Sequence, residues 1–466
     1  MNRFLSDRSA GFLSASQFAR IQNSRRLQNI QLCAKVRFDG GRREFIQNGD
    51  EAPPNNNNES VNPNSRIWAH QSGVNALALD IDNRILVSGG ADSSLNLWNL
   101  EDHATPSSHM FKPIASIART ASAHQYGITQ LSFYPFDSDA FLSSSYDHHL
   151  KLYATETQQL SADFNMDSIV YAHTLSPIAN HLLVACATQN PVVRLVDLRS
   201  GANTHSLPGH AGALLSLAWN PTVEHVLASG GVDGTIRLWD IRRSTGPLGI
   251  LDMEDCRGIG AAGGAPRYRL SAKSHHGAVN GITWTGDGSF IISAGHDERV
   301  RVWNTANAAN TLASFGPTLR NGHMSTLPLV LSPSGSTDLK RDLLFYPNQR
   351  DLLVFELHQG KLLKRLRVPG PVDATVRSRT GERIVRNRIT ALAWKGQSDG
   401  IFSAHTDGQI RAWCPRTEED DDLDAEEDDS KRPKDNNDDD NTQGKRKRQV
   451  LDNVYRDLTR QRVTFG

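Results

Sequence analysis

Short apolar stretches separated by turn residues recur along most of this chain. Residues 213–241 show the pattern best: LLSLAW, HVLASGG and TIRLWDI alternate apolar with polar positions or run apolar, and NPTVE and VDG separate them. A period of two over such short segments predicts β-strands. VDG predicts a tight turn, because Gly234 is free to adopt positive φ. The pattern therefore predicts an all-β protein.

A fixed polar spacing accompanies these strands. Five times, a serine is followed four residues later by an aspartate and six residues after that by an aromatic: Ser88, Asp92 and Trp98; Ser143, Asp147 and Tyr153; Ser229, Asp233 and Trp239; Ser293, Asp297 and Trp303; Ser403, Asp407 and Trp413. In four sets a histidine lies 21 to 23 residues before the aspartate: His70, His124, His210 and His276. The aromatics or their equivalents fall at Trp98, Tyr153, Val196, Trp239, Trp303, Phe355 and Trp413, with a shortest step of 43 residues. That step matches a four-stranded blade, so the repeat predicts a seven-bladed β-propeller.

This repeat resembles the WD-repeat family over roughly residues 66–415. In that family the repeated histidine, serine, aspartate and tryptophan form a hydrogen-bonded network inside each blade, and the resemblance implies the same here. Two blades depart from the pattern: blade three has His173, Cys186, Asn190 and Val196, and blade six has Phe345, Gln349 and Phe355. Blade seven lacks the expected Gly-His, and its Arg-rich insert at 369–387 is predicted to be an exposed loop.

Catalytic and metal-binding interpretations fit this pattern poorly. A catalytic triad occurs once, on an exposed turn, whereas here serine, histidine and aspartate recur with a tryptophan behind them. The pairs His148–His149 and His275–His276 have no zinc spacing, and neighbours on a strand point to opposite faces. GIGAAGG at 258–264 has no strand before it and no helix after it, so it predicts a linker. We therefore expect no enzyme activity, no metal, no cofactor and no small-molecule substrate.

Composition divides the chain into four predicted regions. Residues 1–46 form a helical arm plus a closing strand, 47–65 a disordered Asn/Pro-rich insert, 66–415 the propeller, and 416–466 an acidic tail with a possible short helix. Residues 418–440 carry fourteen acidic and three basic residues, whereas residues 1–45 carry nine basic and three acidic ones. No apolar run approaches a membrane span, and the four scattered cysteines indicate reduced thiols. Basic residues in the tail have the spacing of a bipartite nuclear import signal, which predicts a nuclear protein: Lys431, Arg432, Lys445, Arg446, Lys447 and Arg448.

The N-terminal arm and the ends of two blades indicate a more specific functional class. Ser14 with Gln17 predicts a capped helix, whose apolar stripe either packs back on the propeller or anchors a partner. Blades three and four end in Asp-x-Arg, at Asp197–Arg199 and Asp240–Arg242. With these boxes, the chain resembles the WD-repeat substrate receptors of cullin-four ubiquitin ligases that act in transcription-coupled excision repair. Three further stretches carry the resemblance: GFLSASQF, NSRRLQNIQL and SFYPFDSDAFLSSSYDHHLKLY.

That resemblance implies a set of partners and contact residues. The partners would be the damaged-DNA-binding adaptor, a cullin-RING ligase, the Cockayne syndrome group B ATPase and the RNA polymerase II machinery. The adaptor would contact Leu13, Phe18, Ile21, Arg25, Asp197, Arg199, Trp239, Asp240 and Arg242. Two alternatives stay open: a nuclear WD-repeat scaffold in chromatin or ribosome assembly, and, least favoured, direct nucleic-acid binding through the basic arm.

Overall fold

The computed structural model describes residues 9–11, 14–41, 68–101, 109–178, 181–201, 203–243, 246–256, 272–333, 335, 337, 342–368, 372–378, 381–396 and 400–415. Within these ranges the chain forms seven small antiparallel sheets arranged as the blades of a closed ring, which confirms the predicted seven-bladed propeller. First strands of most neighbouring blades pack side by side around the axis, and the strand that opens blade seven lies against the one that opens blade one.

Blades one to four have four strands each. They are β3 (Val74–Leu79), β4 (Ile85–Gly90), β5 (Leu95–Asn99) and β7 (Pro113–Ile117); β8 (Ile128–Phe133), β9 (Ala140–Ser145), β10 (His149–Ala154) and β11 (Leu160–Asn165); β12 (Val170–Leu175), β13 (Leu183–Thr188), β14 (Val192–Asp197) and β15 (Asn203–Pro208); β16 (Leu214–Trp219), β17 (Val226–Gly231), β18 (Ile236–Asp240) and β19 (Gly249–Ile250). Cys186 and Val196 therefore occupy the second and third strands of blade three, as their sequence positions predict.

Blades five to seven are less regular. They are β20 (Val279–Trp284), β21 (Phe290–Gly295) and β22 (Val300–Asn304); β23 (Val330–Leu331), β24 (Leu343–Asn348), β25 (Asp351–Glu356) and β26 (Lys361–Arg367); β29 (Ile389–Gly396), β30 (Gly400–His405), β31 (Ile410–Pro415) and β1 (Ile30–Cys33). Two short sheets lie outside the blades: parallel β2 (Val36–Phe38) with β6 (His109–Phe111), and the hairpin β27 (Asp373–Ser378) with β28 (Gly381–Arg386). The hairpin replaces the simple loop expected at 369–387.

The ring closes by pairing the two ends of the propeller. Strand β1 is the outer strand of blade seven, with Ile30 opposite Pro415 and Cys33 opposite Ala412. Helix α1 (Ala15–Gln28) leads directly into this strand. Leu27 and Ile30 are both fully buried in the apolar cluster that contains Trp413. The N-terminal segment is therefore part of the core.

Apolar clusters fill the interfaces between blades. The indoles of Trp98, Trp239, Trp303 and Trp413 are each less than 2% exposed. Replacing one such side chain by alanine removes its packing and leaves a cavity, at about 3–5 kcal/mol. These tryptophans thus anchor the interfaces on which the ring depends.

The ring has two faces, which the strand directions define. First and third strands of a blade run the same way, since both are antiparallel to the second. We call the face where the third strands end the arm face, because β1 and α1 enter there opposite Pro415. The other face, which carries the turns around Asp92, Asp147, Asp233 and Asp297, is the turn face.

Candidate functional site

Blade four shows the repeated polar cluster in its complete form. Nδ1 of His210 lies 3.0 Å from Oδ2 of Asp233, and Nε2 lies 2.7 Å from Oγ of Ser229. The indole Nε1–H of Trp239 donates to the same serine oxygen at 2.7 Å. The carboxylate fixes the Nδ1–H tautomer, so the serine hydroxyl donates to Nε2. His210 reaches the serine from the loop that precedes the first strand.

Blades one and two repeat this arrangement with small changes. His70 contacts Ser88 at 2.7 Å and Trp98 donates to Ser88 at 2.9 Å, while Ser94 stands between the imidazole and Asp92. Burial would raise the pKa of Asp92, but the nearby imidazole of His70 and hydrogen bonds from Ser94 outweigh it and hold the pKa at about 2. In blade two the imidazole of His124 bridges Asp147 and Ser143 at 2.8 and 2.7 Å. The Tyr153 hydroxyl is buried there without a hydrogen-bond partner.

Blade five corrects one expected residue. His275, not His276, bridges Asp297 at 2.8 Å and Ser293 at 2.8 Å. His276 contributes only its backbone N–H to Asp297, at 3.3 Å. The spacing could have shown this, since His275 lies 22 residues before Asp297 and the other three histidines lie 22 or 23 before theirs. A shift of one position along the chain therefore decides which of the two imidazole rings contacts the serine and the aspartate.

Blade seven supplies its imidazole from an unexpected place. Nε2 of His405 lies 2.8 Å from Oγ of Ser403, and Trp413 donates to that oxygen at 2.7 Å. His405 and Ser403 both belong to β30. The imidazole of blade seven therefore comes from the same strand as the serine and not from the loop before the first strand. Nδ1 of His405 is buried without a partner, and burial lowers the pKa of this imidazole well below its usual value. Asp407 binds Asn387 and Arg411 instead.

His173 does not play the role expected of it in blade three. It lies within the first strand, β12, and its ring faces blade two. Nε2 is 2.7 Å from Ser132 Oγ and Nδ1 is 2.9 Å from Ser144 Oγ. Burial lowers its pKa to about 3, so the ring is neutral. His173 therefore joins two blades and forms no cluster of its own with Cys186 and Asn190.

These clusters have triad-like connectivity but no access for a substrate. Ser88, Ser143, Ser229, Ser293 and Ser403 are fully buried. In four blades a tryptophan N–H occupies a lone pair of the serine oxygen, which a nucleophile needs free. Within the described part of the chain, no three His, Cys, Asp or Glu side chains are placed to hold a metal. The arrangement suits stabilisation of the blades.

The two Asp-x-Arg boxes differ from each other. In blade four, Nε and NH2 of Arg242 donate to the two carboxylate oxygens of Asp240 at 3.0 and 2.9 Å. This bidentate bond, more than any other contact, lowers the pKa of Asp240, to about 2. In blade three, Asp197 accepts from the Arg199 backbone N–H and the Ser200 hydroxyl. Only one box holds its guanidinium in a fixed fork.

Helix α1 lies at the same face as the blade-four box. Ser14 and Gln17 form the predicted capping box, at 3.2 Å and 3.1 Å. Phe18 and Ile21 are half-buried and Arg25 is exposed, so the apolar stripe is only partly covered. Trp239 lies in the core, and Asp240 follows it at the end of a third strand, on the arm face. Leu13 and all six predicted nuclear-import residues fall outside the described ranges.

The fold and the buried clusters define a WD-repeat β-propeller protein. The WD domain, G-beta repeat model matches residues 62–99, 115–154, 201–240 and 266–304. These segments correspond to blades one, two, four and five, in which the histidine comes from the preceding loop. The blades outside the match are those whose clusters are rearranged or missing. Among the described residues, no helix is long and apolar enough to cross a membrane.

Relatives of two kinds align with the chain. WD repeat-containing protein ATCSA-1 of Arabidopsis thaliana is 26% identical over 90% of this chain and 96% of its own length. Ribosome biogenesis protein ytm1 of Neurospora crassa is 28% identical over 51% of this chain and 53% of its own. Ribosome biogenesis protein WDR12 homolog of Trichoplax adhaerens is 25% identical over 50% and 52%. The chain spans about half the length of these ribosome biogenesis relatives.

These matches correct the expected identity. The sequence features quoted above led us to expect the Cockayne syndrome group A protein or a fungal homologue of it. That expectation is wrong: the similarity to ATCSA-1 reaches only 26% identity, and matches to ribosome biogenesis proteins of several fungi accompany it at 26–28%. The comparisons favour a protein of the ytm1 kind instead.

Proposed function

We propose that this chain is a non-catalytic scaffold that binds other proteins during ribosome assembly in the nucleus. The observation that carries the proposal is its similarity to ribosome biogenesis proteins named ytm1 in Aspergillus, Neurospora and other fungi. A closed ring whose repeated polar residues are buried supports binding, because its exposed faces remain free to differ from blade to blade. The predicted import residues in the tail support a nuclear site of action.

Density-gradient sedimentation of the tagged full chain tests this proposal. The chain alone has a mass of 51.4 kDa. A scaffold of ribosome assembly should sediment in a far heavier particle, together with ribosomal proteins and precursor ribosomal RNA. Recovery only in light fractions, with no ribosomal component, would contradict the proposal.

A second candidate function is recruitment of a cullin-RING ligase through the damaged-DNA-binding adaptor. One observation favours it: α1 and the bidentate Asp240–Arg242 pair lie on the same face, as a shared adaptor surface requires. Removing the arm is not a clean test, since Leu27 and Ile30 belong to the core. The combined change Phe18→Ala and Arg242→Ala alters exposed or half-buried side chains only.

Mass spectrometry of the same purification separates the two candidates. Adaptor and cullin subunits, lost in the Phe18→Ala and Arg242→Ala variant, would support the ligase function. Arg84→Ala is the matched control, because it removes another exposed arginine that pairs with an acid, Glu101 at 3.1 Å, in blade one. Ribosomal components without adaptor or cullin would support the scaffold of ribosome assembly.

A further inference from the structure

One half-buried cation of the propeller has no acidic partner. Arg388 precedes the first strand of blade seven and lies at the mouth of the central channel, on the turn face. Its NH1 donates to Oγ of Ser325 at 3.0 Å. Arg301 and Arg411, by contrast, donate to Asp297 and Asp407. Among the described residues, no carboxylate pairs with Arg388.

The surroundings keep this charge uncompensated. Burial lowers the pKa of Arg388, and Tyr146 is the group that opposes this shift. The charge of Arg388 also acts on His323. Burial is the main cause that lowers the pKa of His323, and the charge of Arg388 is the second. A guanidinium that is partly removed from water and unpaired carries a desolvation penalty. An anion that entered beside it would offset that penalty.

A cavity provides the space for such an anion. It has a volume of about 180 Å³ and its lining includes Thr129, Tyr146, Tyr171, Ser325, Thr326 and Arg388. The rings of Tyr146 and Tyr171 meet edge to face, with centroids 6.4 Å apart. The Oγ1 of Thr326 lies 3.0 Å from the Leu215 carbonyl oxygen and 3.2 Å from that of Tyr171, which ties the segment after blade five into the channel. The cavity is thus lined by residues at the starts of the first strands of several blades, on the turn face.

Size and charge select the ligand. Small-molecule pockets usually measure about 300–1,000 Å³, so this cavity suits a single side chain. One guanidinium neutralises a carboxylate fully, but a phosphate dianion only in part. Nucleic acid binding requires a row of cations along the backbone. We propose that the Arg388 cavity binds a carboxylate side chain from an acidic segment of a partner protein.

This site lies on the face opposite α1 and the Asp240–Arg242 pair. It would therefore let the propeller bind two partners at once, one on each face. The inference rests on the chain acting as a binding protein, and it is independent of any role in ribosome assembly. The two proposals can therefore fail separately. The purified chain could fail to bind an acidic peptide although it sediments with ribosomal particles, or it could bind the peptide and not sediment with them.

Fluorescence anisotropy with a labelled Glu-rich peptide and the purified full chain tests the proposal. The same peptide with every Glu replaced by Gln is the ligand control. We expect the acidic peptide to bind, Arg388→Gln to weaken binding at least about tenfold, and Arg243→Gln to change it less than about twofold. Arg243→Gln is matched because it makes the same charge change at an exposed residue of the arm face.

A second variant protects the test against misfolding. Tyr146 is 39% exposed, so Tyr146→Phe should leave the fold intact and weaken binding about two- to fivefold by removing one donor. Equal weakening by Arg388→Gln and Arg243→Gln would overturn the proposal, because it would indicate general charge attraction. So would equal affinity for the Gln peptide, or tighter binding of a single-stranded RNA of equal charge.

Discussion

Blades four and seven hold the same serine–tryptophan pair but obtain their imidazole from opposite directions along the chain. His210 reaches Ser229 from the loop before the first strand, whereas His405 follows Ser403 in the same strand. The serine oxygen is 2.7 to 2.8 Å from the imidazole in both blades. In both blades the buried serine has an imidazole acceptor, although different positions supply it.

In blade four, a glycine leaves no room for the source that blade seven uses. Two residues after the serine, blade four has Gly231 and blade seven has His405. A Cβ at Gly231 would lie 2.8 Å from His210 Nδ1 and 2.8 Å from Asp233 Oδ1, closer than real Cβ contacts allow. The position is not always glycine: blade two has Ser145 there beside its loop histidine His124, and blade seven has His405 there. The predictions below test this exchange and its limits.

The largest effect should come from removing the imidazole. His210→Ala leaves Ser229 and Asp233 without a main partner, so we expect a loss of about 3 kcal/mol in the free energy of unfolding. His405→Ala should cost about 2 kcal/mol, because its Nδ1 has no partner to leave unpaired. Urea denaturation measures both. Equal losses, or a larger loss in blade seven, would contradict the comparison.

Crowding the glycine should cost somewhat less. Gly231→Ala places a methyl group against His210 and Asp233, so we expect a loss of about 1–3 kcal/mol from overpacking. Gly212→Ala in the same blade is the control, since the nearest atom to its Cβ is 3.5 Å away. Thermal unfolding should show little change for the control. A harmless Gly231→Ala would mean that the glycine does not exclude a side chain.

As the pH falls, protonation of a histidine within a strand should destabilise the fold at a higher pH than protonation of the carboxylates in the turns. The folded pKa of His173 is about 3, below the ordinary value of 6.5, so its stabilisation is complete above pH 6.5 and falls as pH drops towards 3. At pH 5 the loss is on the order of 2 kcal/mol. Asp92 and Asp147, with pKa values of about 2, lose their contribution only below about pH 4. His173→Gln should therefore flatten the dependence of the melting temperature between pH 7 and 5; an unchanged slope would oppose this assignment.

The smallest effect on stability should come from the exposed boxes. Arg242→Ala removes a surface ion pair and Arg199→Ala removes no such pair, so both should leave the midpoint of urea denaturation almost unchanged. If the arm face binds a partner, Arg242→Ala should weaken that binding more, because its fork is held in place before binding. Calorimetry of the folded variants with the purified partner measures this. Equal weakening would show that the fork is not important.

The repeats were predictable because covalent spacing fixes them. Ser229, Asp233 and Trp239 occupy positions that any regular blade imposes, and the ring follows from their number. His405 was missed because it is not in the loop where the pattern predicts it, although a histidine in the place of a glycine was a visible signal. The difference between Arg199 and Arg242 depends on local turn contacts. The Arg388 cavity exists only once the ring closes and brings blades two, three and seven together.

The double-mutant cycle of Gly231→His and His210→Gly tests the central claim, that the repeated polar residues are interchangeable structural supports, most directly. It gives blade four the arrangement of blade seven. We predict that Gly231→His alone unfolds at a much lower temperature than the wild type, and that adding His210→Gly restores much of the loss. A double variant no more stable than Gly231→His alone would contradict the account.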